Sequence, residues 1–331
     1  MIEDVGWFWD HADKRHLIAH DYLIANYVCT SGKHYALEFR RFRKSEDCQA
    51  WQAELAQREG GVQAASEKEQ RLATFKGHTE LFKELVDGVV EWQIPGDFAF
   101  DCYFTNAEIL NHINGTGRGY TGDLKFNRKV WFKGMERKAS EMAKLIGAED
   151  RKRVEISDRR QWYFTKTIHI PGVDHAVRIA ILWDRKNAAE PAKMVVTNRT
   201  YRDVGLFRRY RTNRTFWEVT RILRGYRRRW TGTETFHRDG KQELGLGDCQ
   251  LRSGEGQTRH FYLVMMAHSL AVAELGQNRV RDWARVKLTT IGEACRAVMR
   301  ETLGKTITWT VERALSDGWD CGRITAHLAL T

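Results

Sequence analysis

Between residues 127 and 198 the chain alternates runs rich in β-branched and aromatic residues: RKVWFKG, KRVEIS, QWYFTKTIHI, HAVRIAILWD and AKMVVTN. One stretch among them, MERKASEMAKLIG, has helical spacing instead. Runs of this kind bounded by polar breaks read as strands, so any fold for this chain must hold a substantial sheet near its middle. Upstream, HLIAHDYLIANYVC (16–29) and KHYALEFRRFRK (33–44) read as a hairpin turning at Ser31-Gly32. The period then changes, and Phe75, Leu81, Phe82, Leu85, Val86 and Val89 predict a helix covering the sheet. REGGVQAASEKEQ (58–70) predicts a loop or a solvated helix. Further on, a Gly-rich polar loop is expected over 247–260, then a buried helix in FYLVMMAHSLAVAEL (261–275). The remainder to Thr331 reads as helical, with a break at Gly318-Trp319.

Composition narrows the partners. The net charge is +11 and the sequence pI near 9.4, which favours an anionic ligand. No uninterrupted apolar run approaches the roughly 20 residues of a membrane span, and Met1-Ile-Glu-Asp does not read as a signal or transit peptide. The six cysteines are scattered without a CxxC pair and read as reduced cytosolic thiols. His16 and His20 have the i, i+4 spacing of a helical zinc site, but they sit in a strand-like run, where surface or packing roles are expected.

Two acids stand out. After Pro95-Gly96, the run DFAFDCYFTNAEIL reads as a short strand ending at Asp101, followed by a helix capped by Thr105 with Glu108 at its third position. An acid at the carboxyl end of a buried strand lies where open α/β sheets place ligand-binding groups; alternatively, Asp101 merely caps a turn. The second acid is Glu234, in YRRRWTGTETFHRDGKQELGL (226–246), with Arg238 four residues on and Lys241 seven on, along one helical face. Eleven Lys/Arg and two acids fall between Arg199 and Arg229, a density that needs a polyanion. An acid inside such a surface repels the ligand unless it holds a metal cation that the ligand also touches. Glu234 is therefore expected to be a metal ligand at a phosphodiester-cutting site. The helix before it is expected to be capped by Thr215 with Glu218. Trp217, Ile222, Tyr226 and Trp230 are its apolar side, and some of arginines 221, 224, 227, 228 and 229 are expected on phosphates.

Tyr226, Arg229, Glu234 and Lys241 resemble the C-terminal signature of bacterial insertion-sequence transposases of the DDE superfamily. The six residues between Glu234 and Lys241 fit that pattern, whereas four rather than three separate Arg229 from Glu234. Gly232 lies in this gap, so a kink or restart is expected there, with Thr231 and Glu234 as a capping box. FDCYFTNAEIL resembles the family's second-aspartate motif, which makes Asp101 the second acidic ligand. YTGDLKFNRKV (120–130) resembles the strand that follows it, and EDVGWFWDHADKR the segment just after the first catalytic aspartate. Asp4 and Asp10 align beyond that catalytic position.

The resemblance implies a ribonuclease-H-like α/β fold: a mixed sheet flanked by helices, interrupted by a β-rich insertion, with a helical C-terminal part. Its divisions are residues 1–126 for the first part of the core, with its first strand apparently missing, and 127–200 for the insertion. Residues 201–275 return to the core with the Glu-bearing helix, and 276–331 form a helical tail. It further implies two Mg²⁺ ions, for which Mn²⁺ substitutes, held by Asp101 and Glu234. The implied partner is double-stranded DNA at transposon terminal inverted repeats and at the target, bound through Tyr226, Arg227, Arg228, Arg229, Arg238 and Lys241, with a homodimer on DNA. In the insertion, DNA contacts are implied, and Trp162, Tyr163 and Trp183 are either base-stacking or core aromatics. Three functions stay open: a transposase truncated at its N-terminus, an inactive DNA-binding remnant of one, and a metal-dependent nuclease of the same fold.

Overall fold

The computed structural model describes residues 2–10, 14–58, 64–156, 159–199 and 214–329. The chain divides into a sheet-bearing unit, residues 2–28 and 37–233, and a mainly helical unit built from residues 29–36 and from 234 onward.

The sheet-bearing unit opens with β1 (Gly6–Asp10) and β2 (Arg15–Ala19), which form a two-stranded sheet among the described residues, as do β3 (Asp21–Val28) and β4 (His34–Phe42). The turn between β3 and β4 falls where its residues demand. Gly32 takes a φ of 87°, and its N–H donates to the Cys29 carbonyl at 3.0 Å. Helices α1 (Ser45–Ala56), α2 (Glu67–Ala73) and α3 (His78–Glu91) follow. α2 occupies the end of the stretch expected to be loop or solvated helix, and a Ser66–Glu69 capping box starts it. α3 buries Leu81, Leu85 and Val86. Phe75 lies outside it and is 46% exposed, because the helix starts only after Gly77, whose N–H donates to the Glu80 carboxylate at 2.8 Å.

Next come β5 (Phe98–Phe100), α4 (Ala107–Gly115), β6 (Tyr120–Asp123), β7 (Lys129–Phe132), β8 (Met135–Lys138) and α5 (Ala139–Lys144). They lead to β9 (Lys152–Ile156), β10 (Arg159–Ile168), β11 (Val177–Trp183), β12 (Lys193–Thr197) and α6 (Arg214–Arg229). The first four residues of the run expected to be helical, Met135–Lys138, pair with β7 as β8 before α5 begins. Six strands form one sheet in the order β5-β6-β12-β11-β10-β9. β5 and β6 are parallel and the other pairs antiparallel.

Central strand β11 shows why this sheet is buried on both faces. Its sequence, VRIAILW, is nearly continuous in apolar residues, as a doubly covered strand requires. Val177, Ile179, Ile181 and Trp183 join a core with Ile109, Ile113 and Met142 from α4 and α5, while Ala180 and Leu182 face Val219, Ile222 and Tyr226 of α6. Tyr163 and Trp183, weighed above as base-stacking groups, are 1% and 0% exposed and belong to these cores. Their alternation on paired strands β10 and β11 directs them inward.

In the helical unit, α7 (Thr235–Glu243), α8 (Gly254–Glu274), α9 (Ile291–Asp317) and α10 (Cys321–Ala329) follow one another. α8 starts inside the expected loop, because the Ser253 hydroxyl accepts the Gly256 N–H. It is not wholly core: Phe261, Val264, Met265 and His268 are buried, whereas Leu263, Met266 and Leu270 are more than half exposed. The mixed sheet between helical layers, followed by a helical C-terminal part, is a ribonuclease-H-like α/β architecture.

Candidate active site and nucleic-acid interface

Asp101 follows the last residue of β5, half-buried at the carboxyl end of the strand. Its Oδ1 accepts the Tyr103 N–H at 2.9 Å, and its carbonyl accepts the Thr105 hydroxyl at 3.0 Å. One carboxylate oxygen is thus committed to shaping the turn, and this fixes the side chain's direction. Thr105 is not the cap of α4. With its hydroxyl taken by Asp101, that role passes to Asn106, whose Oδ1 accepts the Ile109 N–H at 3.0 Å. Gly122 on β6 makes room for this arrangement. A Cβ there would meet the Phe100 ring at 2.6 Å and Thr105 Oγ1 at 2.7 Å. Asp123, passed over in the sequence, ends the neighbouring parallel strand. It accepts the Tyr226 hydroxyl at 3.2 Å and lies 3.5 Å from Lys193 Nζ.

On α6, Val219, Ile222, Leu223 and Tyr226 are buried, and Arg221, Arg224, Arg227 and Arg228 are exposed. Helical periodicity therefore puts a dense basic stripe opposite the face that packs on the sheet. Arg229 is half-buried, its guanidinium 5.6 Å from the Tyr226 ring centre. Tyr226, expected on DNA, is 8% exposed, and burial together with Asp123 pushes its hydroxyl up to about 12. The proposed Thr215–Glu218 cap, the Trp217 side chain and the basic residues 200–213 lie outside what the structure describes.

The extra residue between Arg229 and Glu234 is accommodated by a π-helical turn, Trp230–Glu234. Such a turn absorbs one inserted residue without ending a helix. The expected restart and its Thr231–Glu234 capping box do not form, since Glu234 has helical φ and ψ of −67° and −36° and makes no side-chain cap bond. Trp230 leaves the apolar side and is 64% exposed, because the 3.6-residue register lapses where the wider turn begins. Gly232 is buried, and a Cβ on it would meet Val28 Cγ2 at 2.8 Å. Only glycine permits that approach.

Glu234 is half-buried at the start of the helical unit, whereas Asp101 belongs to the sheet-bearing unit. Arg238 and Lys241 are exposed on α7, and the Arg238 Nε donates to Asp239 Oδ1 at 2.9 Å. Burial, reinforced by Lys241 and opposed by Glu234, holds His237 below its ordinary value, so a neutral imidazole accompanies Glu234 along the helix.

Asp4 is no metal ligand. Its side chain is 4% exposed and bonded to Arg41 Nη1 at 2.8 Å and Arg43 Nε at 2.9 Å. His16 packs edge-on against Trp9, and the His20 Nε2 bonds the Glu3 carbonyl, in keeping with packing roles. Sequence reasoning missed a buried trio, His34, Asp239 and His268, whose ligand-type atoms all lie within 4.8 Å of one another. No local spacing joins residues so far apart in the chain.

A family model described as a transposase DDE domain matches residues 76–270, more than half the chain. The chain belongs to the DDE transposase family. A search of curated proteins found no match. The matched span includes both Asp101 and Glu234, the π turn and the exposed arginines of α6. DDE transposases depend on divalent metal ions, and carboxylate oxygens are the donors that hard divalent cations require. The transposase's two candidate carboxylates suit such ions by donor type. Among the described residues, no helix is long and apolar enough to cross a membrane.

Proposed function

We propose that this transposase cuts DNA at the ends of an insertion sequence and joins the freed ends to target DNA. Asp101 and Glu234 are two of its metal-holding carboxylates, and Mg²⁺, replaceable by Mn²⁺, is the ion. Bound divalent ions supply charge stabilisation for the attacking and leaving oxygens of the phosphodiester. The chain's own residues bind and orient. Exposed Arg227 and Arg228 neutralise backbone phosphates, and exposed Arg238 and Lys241 on α7 are further phosphate contacts. Tyr226 and Arg229 act from within, because Tyr226 holds α6 against Asp123 at the end of β6. Action on two transposon ends fits a homodimer on DNA, and a DNA substrate fits a cytoplasmic, nucleoid-associated enzyme.

One observation carries this reading. The half-buried Glu234 follows directly on an arginine-faced helix through a π turn, inside the segment that matches the transposase domain. An ion pair would explain Glu234 there in a structural protein, but a metal-bound phosphate explains the exposed arginines as well. The test is a joining assay with pre-cut transposon-end duplexes and target plasmid. Wild type is expected to join 3′ ends in Mg²⁺, and Asp101→Asn to lose joining by at least about 100-fold while keeping DNA affinity. Joining by Asp101→Asn at the wild-type rate would remove Asp101 from the site. Cleavage without any joining would point to a nuclease.

A further inference from the structure

The helical unit contains a second set of donor atoms, unrelated to the carboxylates above. His34 is the first residue of β4, Asp239 lies on α7 and His268 on α8. All three are nine-tenths buried or more, with exposures of 8%, 9% and 0%. Among the described residues, both ring nitrogens of His268 and the Nε2 of His34 have no hydrogen-bond partner. Buried polar atoms are almost always paired, so three orphaned imidazole nitrogens beside one carboxylate call for a ligand.

We propose that His34, Asp239 and His268 bind a transition-metal ion of the zinc class, separate from the Asp101 and Glu234 carboxylates. Two imidazoles and a carboxylate form a donor set suited to Zn²⁺, whereas Mg²⁺ and Ca²⁺ take oxygen ligands. The donor atoms lie within 4.8 Å of one another. A tetrahedral ion at about 2.0–2.1 Å from each would draw them to about 3.4 Å, a closure within the reach of side-chain rotation. Three protein ligands leave a fourth position for water.

The surroundings already orient the ligands. His34 bonds the Gly32 backbone, which leaves its Nε2 for the metal. Asp239 Oδ1 is held by Arg238 Nε and Nη2 at 2.9 and 2.8 Å. The His268 ring stands 5.0 Å from the Phe236 ring at 77° and 5.1 Å from that of His34. Backbone and side-chain partners of this kind set the tautomer and direction of metal-binding groups. The ion clamps the hairpin turn, α7 and α8 together. α7 starts immediately after Glu234 and carries Lys241, so the clamp also sets the pitch of a DNA-facing helix. His34 lies outside the span matched by the transposase domain, so the site combines matched and unmatched parts of the chain.

The test uses the full chain without an affinity tag. Metal content after exhaustive dialysis is expected to be about one zinc per chain, and Co²⁺ added to chelated protein should give the strong visible absorption of a four-coordinate ion. His268→Asn and His34→Gln are each expected to weaken zinc binding by more than about 100-fold, since partners of metal ligands are themselves worth about 10–100-fold. The Asp101→Asn, Glu234→Gln double variant should keep the zinc and the cobalt spectrum, which separates this site from the proposed catalytic one. The cobalt spectrum of wild type stands even if a histidine variant fails to fold. Zinc lost on dialysis together with a weak six-coordinate cobalt spectrum would overturn the proposal. So would a cobalt signal that survives both histidine changes or disappears in the carboxylate variant.

Discussion

The β3–β4 hairpin takes part in two buried polar clusters that differ in one respect. At one end, Arg41 and Arg43 close on Asp4, and the three side chains are 6%, 18% and 4% exposed. At the other, His34 meets Asp239 and His268 at comparable burial, yet three imidazole nitrogens have no hydrogen-bond partner among the described residues. The first cluster is complete, because both oxygens of its carboxylate are hydrogen-bonded by arginines within the protein. The second is complete only with something added. Burial alone therefore does not mark a site; burial together with unmet bonding capacity does. Asp4 belongs to the complete kind, its carboxylate held by two arginines.

The largest expected effect comes from breaking the complete cluster. Asp4→Ala leaves two arginines facing each other without their counterion and should cost about 3–5 kcal/mol in urea denaturation. Burial raises the Asp4 carboxyl, but Arg43 and Arg41 more than offset this and hold it below its ordinary value near 3.8. Its contribution is therefore full above about pH 3.8 and is lost as the pH falls through the lowered folded value. The acid limb of a pH–stability curve should flatten in Asp4→Asn. An unchanged limb would mean that the pair contributes nothing.

The incomplete cluster should respond in the opposite sense. In chelator, His268→Leu removes two unpaired nitrogens from the interior and should leave stability unchanged or raise it by about 1 kcal/mol. With zinc present, the same substitution should lower the melting temperature relative to wild type. A large loss of stability in chelator would show that His268 already has its partners, and the contrast between the clusters would fail.

The smallest effect concerns exposed charge, where neither cluster acts. Arg227→Ala and Arg228→Ala should each reduce the log–log salt slope of DNA binding by about 0.9 and leave folding stability within about 0.5 kcal/mol. An unchanged slope would return them to the solvated face of α6.

How much of this was legible in the sequence follows from the range of the interactions involved. Strands β9 to β12 were readable because apolar alternation and β-branched content are local properties, and Ser31-Gly32 because a left-handed φ selects glycine. Small boundary errors arose where two residues competed for one role. Asn106 caps α4 because Thr105 is drawn to Asp101, and α3 starts after Gly77, leaving Phe75 outside. The π turn left a trace only in counting, as one residue too many before Glu234; composition gave no sign of its shape. Asp101 and Glu234 were singled out through a family resemblance, since either acid by itself also fits a turn or an ion pair. His34, Asp239 and His268 were invisible for a different reason. Their proximity is created by tertiary packing of a strand and two helices, which no window of sequence contains.

Mg²⁺-dependent nicking of supercoiled plasmid, with wild type and Glu234→Gln compared at equal DNA occupancy, tests the central claim most directly. Wild type should nick, and Glu234→Gln should bind DNA as tightly or more tightly while nicking at least about 100-fold more slowly. Nicking by Glu234→Gln at the wild-type rate would contradict the metal role of Glu234. Tight, salt-sensitive binding without nicking by wild type would contradict the enzyme itself, leaving a DNA-binding protein that has kept the surface and not the chemistry.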